Sequence, residues 1–428
     1  MSLRTFSVLP AALAAALLTA CGGGGGGDDP PPTPPVVTPP VADASSFTQK
    51  ASWSFELPAA GSAVCYDFDT QAEVAGCSGK AWDVKVHSGG RTAELFTNSG
   101  VSGSGAGGAF GSPFSHTWTQ LQAWKNALTD PVSGAIPASL YFPDAVKNVF
   151  SGSNGIASGA FEYALGGDTD HLLYPNHRVF LVTTDSSLAD AVGTAAAPVY
   201  ALQVTGYYGG PGGTTSGYPT LRWIDRLGQQ VRTATLDASA GWVYFNLTSG
   251  KTVAESGAWH VAFNRNTMKL NGGSSGTGTV AGFVGATPAG FYDAGGKPVL
   301  AKFKATTAAD TLADLTGVLA APASANAWVK DAVSSQLTPH YTGTYPDPLD
   351  YGWFTYYPTD ASAIAAGMAG AHQLKAHPER ATLVRSGEGN SYARMRVASI
   401  AYGPVTAPAK PFTGKQTWTI EMDVQPAR

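Results

Sequence analysis

The sequence predicts an all-β protein with minor helix, and three observations support this fold class. The 428 residues include 52 glycines and 29 prolines, which are unfavourable inside helices and common in turns. Segments such as "GAWHVAFN" alternate like a strand, with Trp259, Val261 and Phe263 on one face. The strand patterns also recur along the chain, so we expect one β fold to occur twice.

The start of the chain has the composition of an export signal. Arg4 precedes an apolar run over 8–20 that is too short and too close to the N-terminus for a spanning helix. The run ends in "LTAC", which resembles the lipobox of bacterial lipoproteins. That resemblance implies removal of residues 1–20, lipidation of Cys21 and, because Gly22 follows, passage to the outer membrane. A chance cysteine after a secretory signal is the alternative.

A segment of low complexity follows this cysteine. Residues 21–46 contain six consecutive glycines and the run "DDPPPTPPVVTPP". Such glycine- and proline-rich sequence buries almost nothing and forms flexible or semi-rigid spacers. We therefore interpret 21–46 as a linker that holds the folded part away from the membrane.

Two cysteines remain if Cys21 is lipidated. Cys65 and Cys77 flank a short turn between two strand-like runs, in an exported chain where disulfides persist. We predict a cross-strand disulfide between Cys65 and Cys77. Two free thiols or a soft-metal pair is the alternative.

Charge and motifs argue against several classes of function. The net charge is −4 and lysine and arginine do not cluster, which argues against nucleic acid as a partner. The chain has no HExxH, CxxC or calcium-loop pattern. A "GGSSG" string lacks the helix that a nucleophile elbow requires. We therefore predict a binding protein and not an enzyme.

The chain contains an internal repeat with a period near 180 residues. Residues 64–68 match 243–247, and the later strands "VYALQVTGYYG" and "YPTLRWID" match "YARMRVASIAYG" and "TWTIEMDV". A period this long exceeds that of solenoid repeats and indicates complete domains. We predict two tandem β domains, 47–228 and 229–428.

Each predicted domain has a variable middle segment with helical spacing. Such stripes are more typical of core packing than of a cofactor site. The residues concerned are Trp118, Leu121, Trp124 and Leu128 in the first domain, and Trp328, Val329 and Val333 in the second.

Compared side by side, the two copies resemble the HmuY family of haem-binding bacterial lipoproteins. The matching segments are the hairpin "VYFNLTSG", the strand "WHVAFNR", the loop "NGGSSGTG" and the late "RSGEGNSYARMRVASIAYG". The resemblance is best over 242–285 and 380–424, and the first domain is a degenerate version. It implies an all-β fold, an outer-membrane or secreted location, and capture of haem for delivery to a TonB-dependent receptor.

Haem needs axial ligands, usually imidazole or thioether, in an apolar cleft. Histidine pairs occur in equivalent loops, "DTDHLLYPNHRVF" and "GAHQLKAHPER", each before a matching strand. Of these, we predict His372 and His377 as the iron ligands, with unliganded loop histidines as the alternative. His87 and His260 lie opposite the core face of their strands and are interpreted as non-ligands. The full set of candidate haem-binding residues is His171, His177, His340, Met368, His372 and His377.

Aromatic residues are concentrated in "HYTGTYPDPLDYGWFTYYP", residues 340–358. Such a run could stack against a flat ligand, either haem or a sugar, or pack within a core. A second hypothesis is therefore a non-haem binding or adhesion module for a glycan or a protein. Nearby Asp347, Asp350 and Asp360 leave a secreted hydrolase as a third hypothesis.

Overall fold

The computed structural model describes residues 45–427, except 112, 168, 189–191, 229, 318–321 and 323–326. The predicted signal peptide, Cys21 and the linker up to residue 44 lie outside the described residues. The all-β prediction is confirmed, because strands make up 40% of the structure and helix 10%. Within the described residues, we find no helix with the length and apolar character needed to cross a membrane.

The first segment, residues 45–147, consists mainly of short strands with alternating burial. In its first strand, Ala51, Trp53 and Phe55 are buried between exposed neighbours, which is the period of a half-buried strand. The elements are β1 Gln49–Glu56, β2 Ala63–Asp67, β3 Ala72–Glu73, β4 Val84–Ser88, β5 Ala93–Thr97, β6 Gly108–Phe110, β7 His116–Thr117, α1 Trp118–Gln122, β8 Thr129–Asp130, β9 Gly134–Ala135, β10 Tyr141–Phe142 and β11 Ala145–Lys147.

The remaining chain forms a middle segment, 148–331, and a last segment, 332–427. The middle elements are β12 Phe161–Tyr163, β13 Leu173–Pro175, β14 Val179–Thr183, β15 Val199–Gly209, β16 Thr215–Asp225, β17 Arg232–Thr235, β18 Val243–Asn246, β19 Lys251–Val253, β20 Val261–Asn264, β21 Thr267–Leu270, β22 Ala281–Val284, α2 Leu300–Ala305 and α3 Leu312–Thr316. The last are β23 Ala332–Ser334, β24 Leu349–Asp350, β25 Phe354–Tyr357, α4 Asp360–Ala365, β26 Gln373–Ala376, β27 Arg380–Arg385, β28 Tyr392–Tyr402 and β29 Gln416–Gln425.

The first and last segments together form one lobe, which we call lobe 1 (45–147 and 332–427). Its main sheet has the order β1-β29-β28-β27-β6-β10, with β7 also paired to β27. A second sheet has the order β3-β2-β4-β5. One core joins the two sheets and includes Trp53, Val86 and Trp418. Lobe 1 is therefore built from the two ends of the described chain.

The middle segment alone forms the other lobe, lobe 2 (148–331). Its sheets have the orders β17-β16-β15-β14-β22 and β19-β18-β20-β21, and its core includes Phe180, Val261 and Phe263. Trp259 departs from the predicted alternation, because it precedes β20 and packs with Tyr244 on another face. The two lobes have matching strand orders, so each is a version of the same fold.

The crossing between lobes occurs at β11 and β23. These strands pair antiparallel about Val146 and Val333. Each follows an aspartate whose carboxylate accepts a backbone N–H bond in the lobe that the chain is leaving. Asp144 accepts from Thr97 and Asp331 accepts from Leu270, both at 3.0 Å. The chain therefore leaves lobe 1 at one crossover strand and returns to it at the other.

The sequence boundary at 228/229 falls inside a sheet of lobe 2. The flanking strands β16 and β17 pair with each other, for example Leu221 with Ala234. Each core takes one half from each predicted domain, so the two cores do not coincide with 47–228 and 229–428. The physical reason is that both repeats present the same pairing edges, and the chain joins each first half to the second half of the other copy.

The glycine loops after the tryptophan strands have the same structural explanation in both lobes. The amide of Gly105 donates to the Asn98 side chain at 2.9 Å, and that of Gly278 donates to Asn271 at 3.1 Å. A Cβ added at Gly105 would lie 2.5 Å from the backbone carbonyl oxygen of Asn98, and one added at Gly278 would lie 2.6 Å from that of Asn271. Close backbone approach therefore requires glycine at these two positions.

The disulfide prediction is confirmed. Cys65 and Cys77 are bonded, with their Cα atoms 5.3 Å apart. The bond closes the turn that leads from β2 towards β4 and so fixes one edge of the smaller sheet of lobe 1.

Of the two segments with helical spacing, the first is helical in part and the second is not. Trp118–Gln122 is helical, with Thr117 and Gln120 completing a capping box, and it buries Trp118 and Leu121. The second segment is extended instead, because Val329 bridges to Gly282 and β23 begins at Ala332. Pairing with a sheet edge overrides the short helical periodicity there.

Candidate functional site

The lobes differ in the loop that follows each crossover strand. In lobe 1 the loop spans 338–352 and carries much of the aromatic run, whereas its counterpart in lobe 2 is the shorter 151–159, "SGSNGIASG". The two loops begin in the same way. The Ser335 hydroxyl accepts the backbone N–H of Leu337 in lobe 1, and the Asn148 side-chain oxygen accepts that of Phe150 in lobe 2. We call 338–352 the aromatic loop.

The aromatic loop is fixed against the β4–β5 hairpin and the core. The Thr338 hydroxyl accepts from the Leu95 amide at 2.8 Å and donates to the Leu95 carbonyl at 2.7 Å. The indole N–H of Trp353 donates to the Leu337 carbonyl at 2.8 Å. These bonds hold both ends of the loop, so the space beside it is defined by the fold.

A cleft of about 500 Å³ lies between this loop, the end of β4 and β23. Its inner side is formed by Trp353 and Phe354, both almost fully buried. Tyr351 stacks on Phe354 at 5.3 Å, and Tyr341, which is 54% exposed, lies 5.3 Å from Tyr351. The volume is within the range of small-molecule sites, and the rings suit a flat ligand.

Two histidines and a lysine complete the lining. His87 extends from β4 with its side chain 40% exposed and its Nδ1 3.9 Å from the Glu94 carboxylate. His340 is exposed, and Lys147 of β11 contacts its Nε2. Imidazoles are iron ligands, and an ammonium group pairs with carboxylates. The cleft therefore combines metal-ligating, cationic and aromatic groups.

His340 is the candidate haem-binding residue that the structure places in this cleft. Sequence reasoning treated His87 as a non-ligand and did not single out Lys147. The alternation of β4, which buries Val84 and Val86, directs His87 away from the core, as predicted. What the pattern could not show is that the aromatic loop, far away in sequence, covers that face.

Two other candidate histidines occupy equivalent positions in the two lobes. The Tyr163 hydroxyl lies 3.0 Å from Nδ1 of His171, and the Tyr356 hydroxyl lies 2.6 Å from Nδ1 of His372. In each lobe the tyrosine is on the first strand of a hairpin, β12–β13 or β25–β26, and the histidine precedes the second. Neither histidine lines the cleft, and each has a phenol as its partner.

The predicted iron ligands His372 and His377 lie at opposite ends of β26. An extended strand rises about 3.3 Å per residue, so their Cα atoms are roughly 16 Å apart, and an odd separation along a strand directs the two side chains to opposite faces. His377 also has a partner, the Thr355 hydroxyl 2.8 Å from its Nε2. The structure does not bring this pair together around one metal. Met368 is half-buried between α4 and β26.

His177 and His260 are buried in lobe 2. His177 is 2% exposed, and its Nδ1 lies 2.9 Å from the Thr311 hydroxyl. Nδ1 of His260 accepts the Leu247 amide at 3.0 Å. Burial lowers the pKa of both imidazoles to about 4, and Arg222 contributes for His177. Both are therefore neutral groups of the folded interior at neutral pH.

These shifts predict acid sensitivity of lobe 2. The folded-state pKa near 4 lies below the ordinary 6.5, so the stabilisation is complete above pH 6.5 and is lost as pH falls towards 4. We expect His260→Asn, whose side-chain oxygen can still accept the Leu247 amide, to change how the free energy of unfolding depends on pH. The substitution should remove a slope of up to about 1.4 kcal/mol per pH unit. Urea unfolding from pH 7 to pH 5 measures this.

The comparison with the unsubstituted protein is needed because Asp83 acts in the opposite direction. Burial raises the pKa of its carboxyl to about 8, so its contribution is lost as pH rises from 4 to 8. The difference between the two profiles isolates the histidine. Parallel profiles over this range would contradict the assignment.

A family model described as "HmuY protein" matches residues 238–409. The matched range begins just before β18 and ends after β28, and it includes the whole aromatic loop. It contributes the first half of this fold to lobe 2 and most of the second half to lobe 1. No curated protein matches the chain.

Proposed function

We propose that this protein is a surface lipoprotein that captures haem in the cleft of lobe 1 and passes it, chemically unchanged, to an outer-membrane TonB-dependent receptor. The observation that carries the proposal is the cleft itself, where two imidazoles and a lysine surround an aromatic surface. The match to the HmuY family over 238–409 supports haem as the ligand, because that range includes the aromatic loop. The lipobox-like Cys21 supports the location.

In this proposal each group has a distinct role. His340 and His87 supply imidazole nitrogens to the iron, and the rings of Tyr341 and Tyr351 cover the macrocycle. Lys147 lies at the cleft and pairs with a propionate carboxylate. Since His340 is exposed, a ligand bound to it lies at the protein surface, where a receptor can reach it.

We expect an absorption titration of the full chain with haemin to give a saturating Soret shift. His340→Ala should weaken binding at least about tenfold, or about 1.4 kcal/mol, because the iron loses a ligand. His87→Ala should have a similar effect. Tryptophan quenching gives a second measure of the same binding.

His171→Ala is the matched control, since His171 is an exposed histidine of lobe 2 with a tyrosine partner. It should leave the Soret shift unchanged. If His171→Ala or His372→Ala abolished the shift while His340→Ala did not, the assignment to the cleft would be wrong. A response no different from that of an unrelated protein would exclude haem and favour the glycan or protein partner.

A further inference from the structure

A second cavity, of about 450 Å³, lies in lobe 2 and differs in chemistry from the cleft of lobe 1. Glycine and small polar residues line most of it, together with one carboxylate, one guanidinium and one phenol. These belong to Glu162, Arg178 and Tyr292. The two cavities share no lining residue, so this site stands apart from the proposed haem site.

Arg178 presents an open donor fork to this cavity. Its backbone amide donates to Asn176 at 3.0 Å and its Nε donates to the Thr287 hydroxyl at 2.7 Å. Among the described residues, none accepts a hydrogen bond from its two terminal nitrogens. Guanidinium groups bind carboxylates through two parallel bonds, and here that geometry is available to a ligand.

Lobe 1 shows what the equivalent arginine does when a carboxylate is present. Arg380 starts β27 as Arg178 precedes β14, and its terminal nitrogens donate to the two Asp350 oxygens at 2.5 and 2.7 Å. Asp350 belongs to the aromatic loop. The shorter lobe 2 loop, 151–159, contains no acidic residue. The same arginine is therefore paired internally in lobe 1 and lacks that carboxylate in lobe 2.

Glu162 gives the cavity an acceptor beside this donor. The Tyr292 hydroxyl donates to Glu162 at 2.9 Å and accepts from the Asn176 side chain at 3.1 Å. Burial, with Glu162 contributing, raises the pKa of Tyr292 to about 12, so the phenol keeps its proton. The phenol bond leaves Glu162 further lone pairs with which to accept from hydroxyl groups.

We propose that this cavity binds a small polyhydroxylated carboxylate, of the hexuronic acid type. Its carboxylate pairs with Arg178 as the Asp350 carboxylate pairs with Arg380, and its hydroxyls donate to Glu162. A neutral sugar lacks the group that Arg178 recognises. A purely aliphatic acid has no hydroxyls for Glu162 and the polar lining.

Calorimetric titration of the full chain with glucuronate and galacturonate tests this proposal, with glucose as the neutral probe. We expect saturable binding of at least one acid and none of glucose. Arg178→Gln should weaken binding roughly 10- to 100-fold, as for a lost hydrogen bond to a charged group. Arg178→Lys should retain part of the affinity, because it keeps the charge without the fork.

Arg380→Gln is the matched control, since it removes the equivalent arginine from lobe 1 and should leave affinity unchanged. Circular dichroism of each variant verifies that it is folded. The proposal is overturned if neither acid binds at about 10 mM, if glucose binds equally well, or if Arg178→Gln binds as the unsubstituted protein does. None of these outcomes depends on haem binding.

Discussion

A chain cut after Gly228 is expected to remain one particle under native conditions. Cleavage at an inserted protease site there divides the protein at the boundary that the sequence repeat indicates. Each fragment supplies half of each lobe, and β16 and β17, on either side of the cut, remain paired. The contact between fragments then consists of two complete cores, far more than the roughly 1,600 Å² of a standard interface.

Size-exclusion chromatography measures this outcome. The cut sample should elute with the uncut protein and should separate into two fragments only in denaturant. The disulfide does not affect the result, because Cys65 and Cys77 lie in the same fragment. Two half-sized particles under native conditions would show that each repeat closes on itself, which would contradict the crossed arrangement of strands.

Asp423→Ala is expected to lower the free energy of unfolding by about 3–5 kcal/mol, because it leaves a buried arginine without its counterion. Arg394 donates to Asp423 at 2.7 Å, and the two side chains are only 10% and 9% exposed. Arg394 also donates to the carbonyls of Leu121 and Trp124. Loss of the carboxylate therefore disturbs the contact between β28 and the C-terminal end of α1, where Leu121 lies and Trp124 follows.

The adjacent pair on the same two strands provides a control. Arg396 and Glu421 are 2.7 Å apart, but their side chains are 22% and 40% exposed. Water screens this pair, so Glu421→Ala should cost less than about 1 kcal/mol. Urea unfolding of both variants gives the comparison. Equal losses would show that burial does not determine the strength of these pairs.

Sequence reasoning could establish the fold class and which halves of the chain resemble each other. The alternation of side chains along the strand predicted that Val261 and Phe263 share a buried face. The position of Cys65 and Cys77 on either side of a short turn predicted their disulfide. Sequence reasoning could not establish which copy of each half pairs with which, because both copies carry the same edge pattern. The contacts of Asn98 with Gly105 and of Asn271 with Gly278 are local, so they would be the same whichever second half each first half pairs with.

The site was predictable only in part, for a similar reason. The aromatic composition of 340–358 and the presence of His340 could be read directly from the chain. The contribution of His87 could not, because it depends on a contact between β4 and a loop about 250 residues later. The separation of His372 from His377 also required the knowledge that an extended strand lies between them.

The pairing of β1 with β29 sets an order for the assembly of the molecule. Every strand of lobe 2 lies within 148–331, so its longest-range strand pairing, of Phe180 with Val284, closes a much shorter loop than the longest of lobe 1 does. Lobe 1 needs Gln49 to meet Val424, and such distant contacts form slowly because a long loop must close first. We expect lobe 2 to fold early and to act as a template that holds the ends of lobe 1 together. The cleft with His87 and His340 is then the last part to form, so the proposed ligand site is complete only when the final strand is in place.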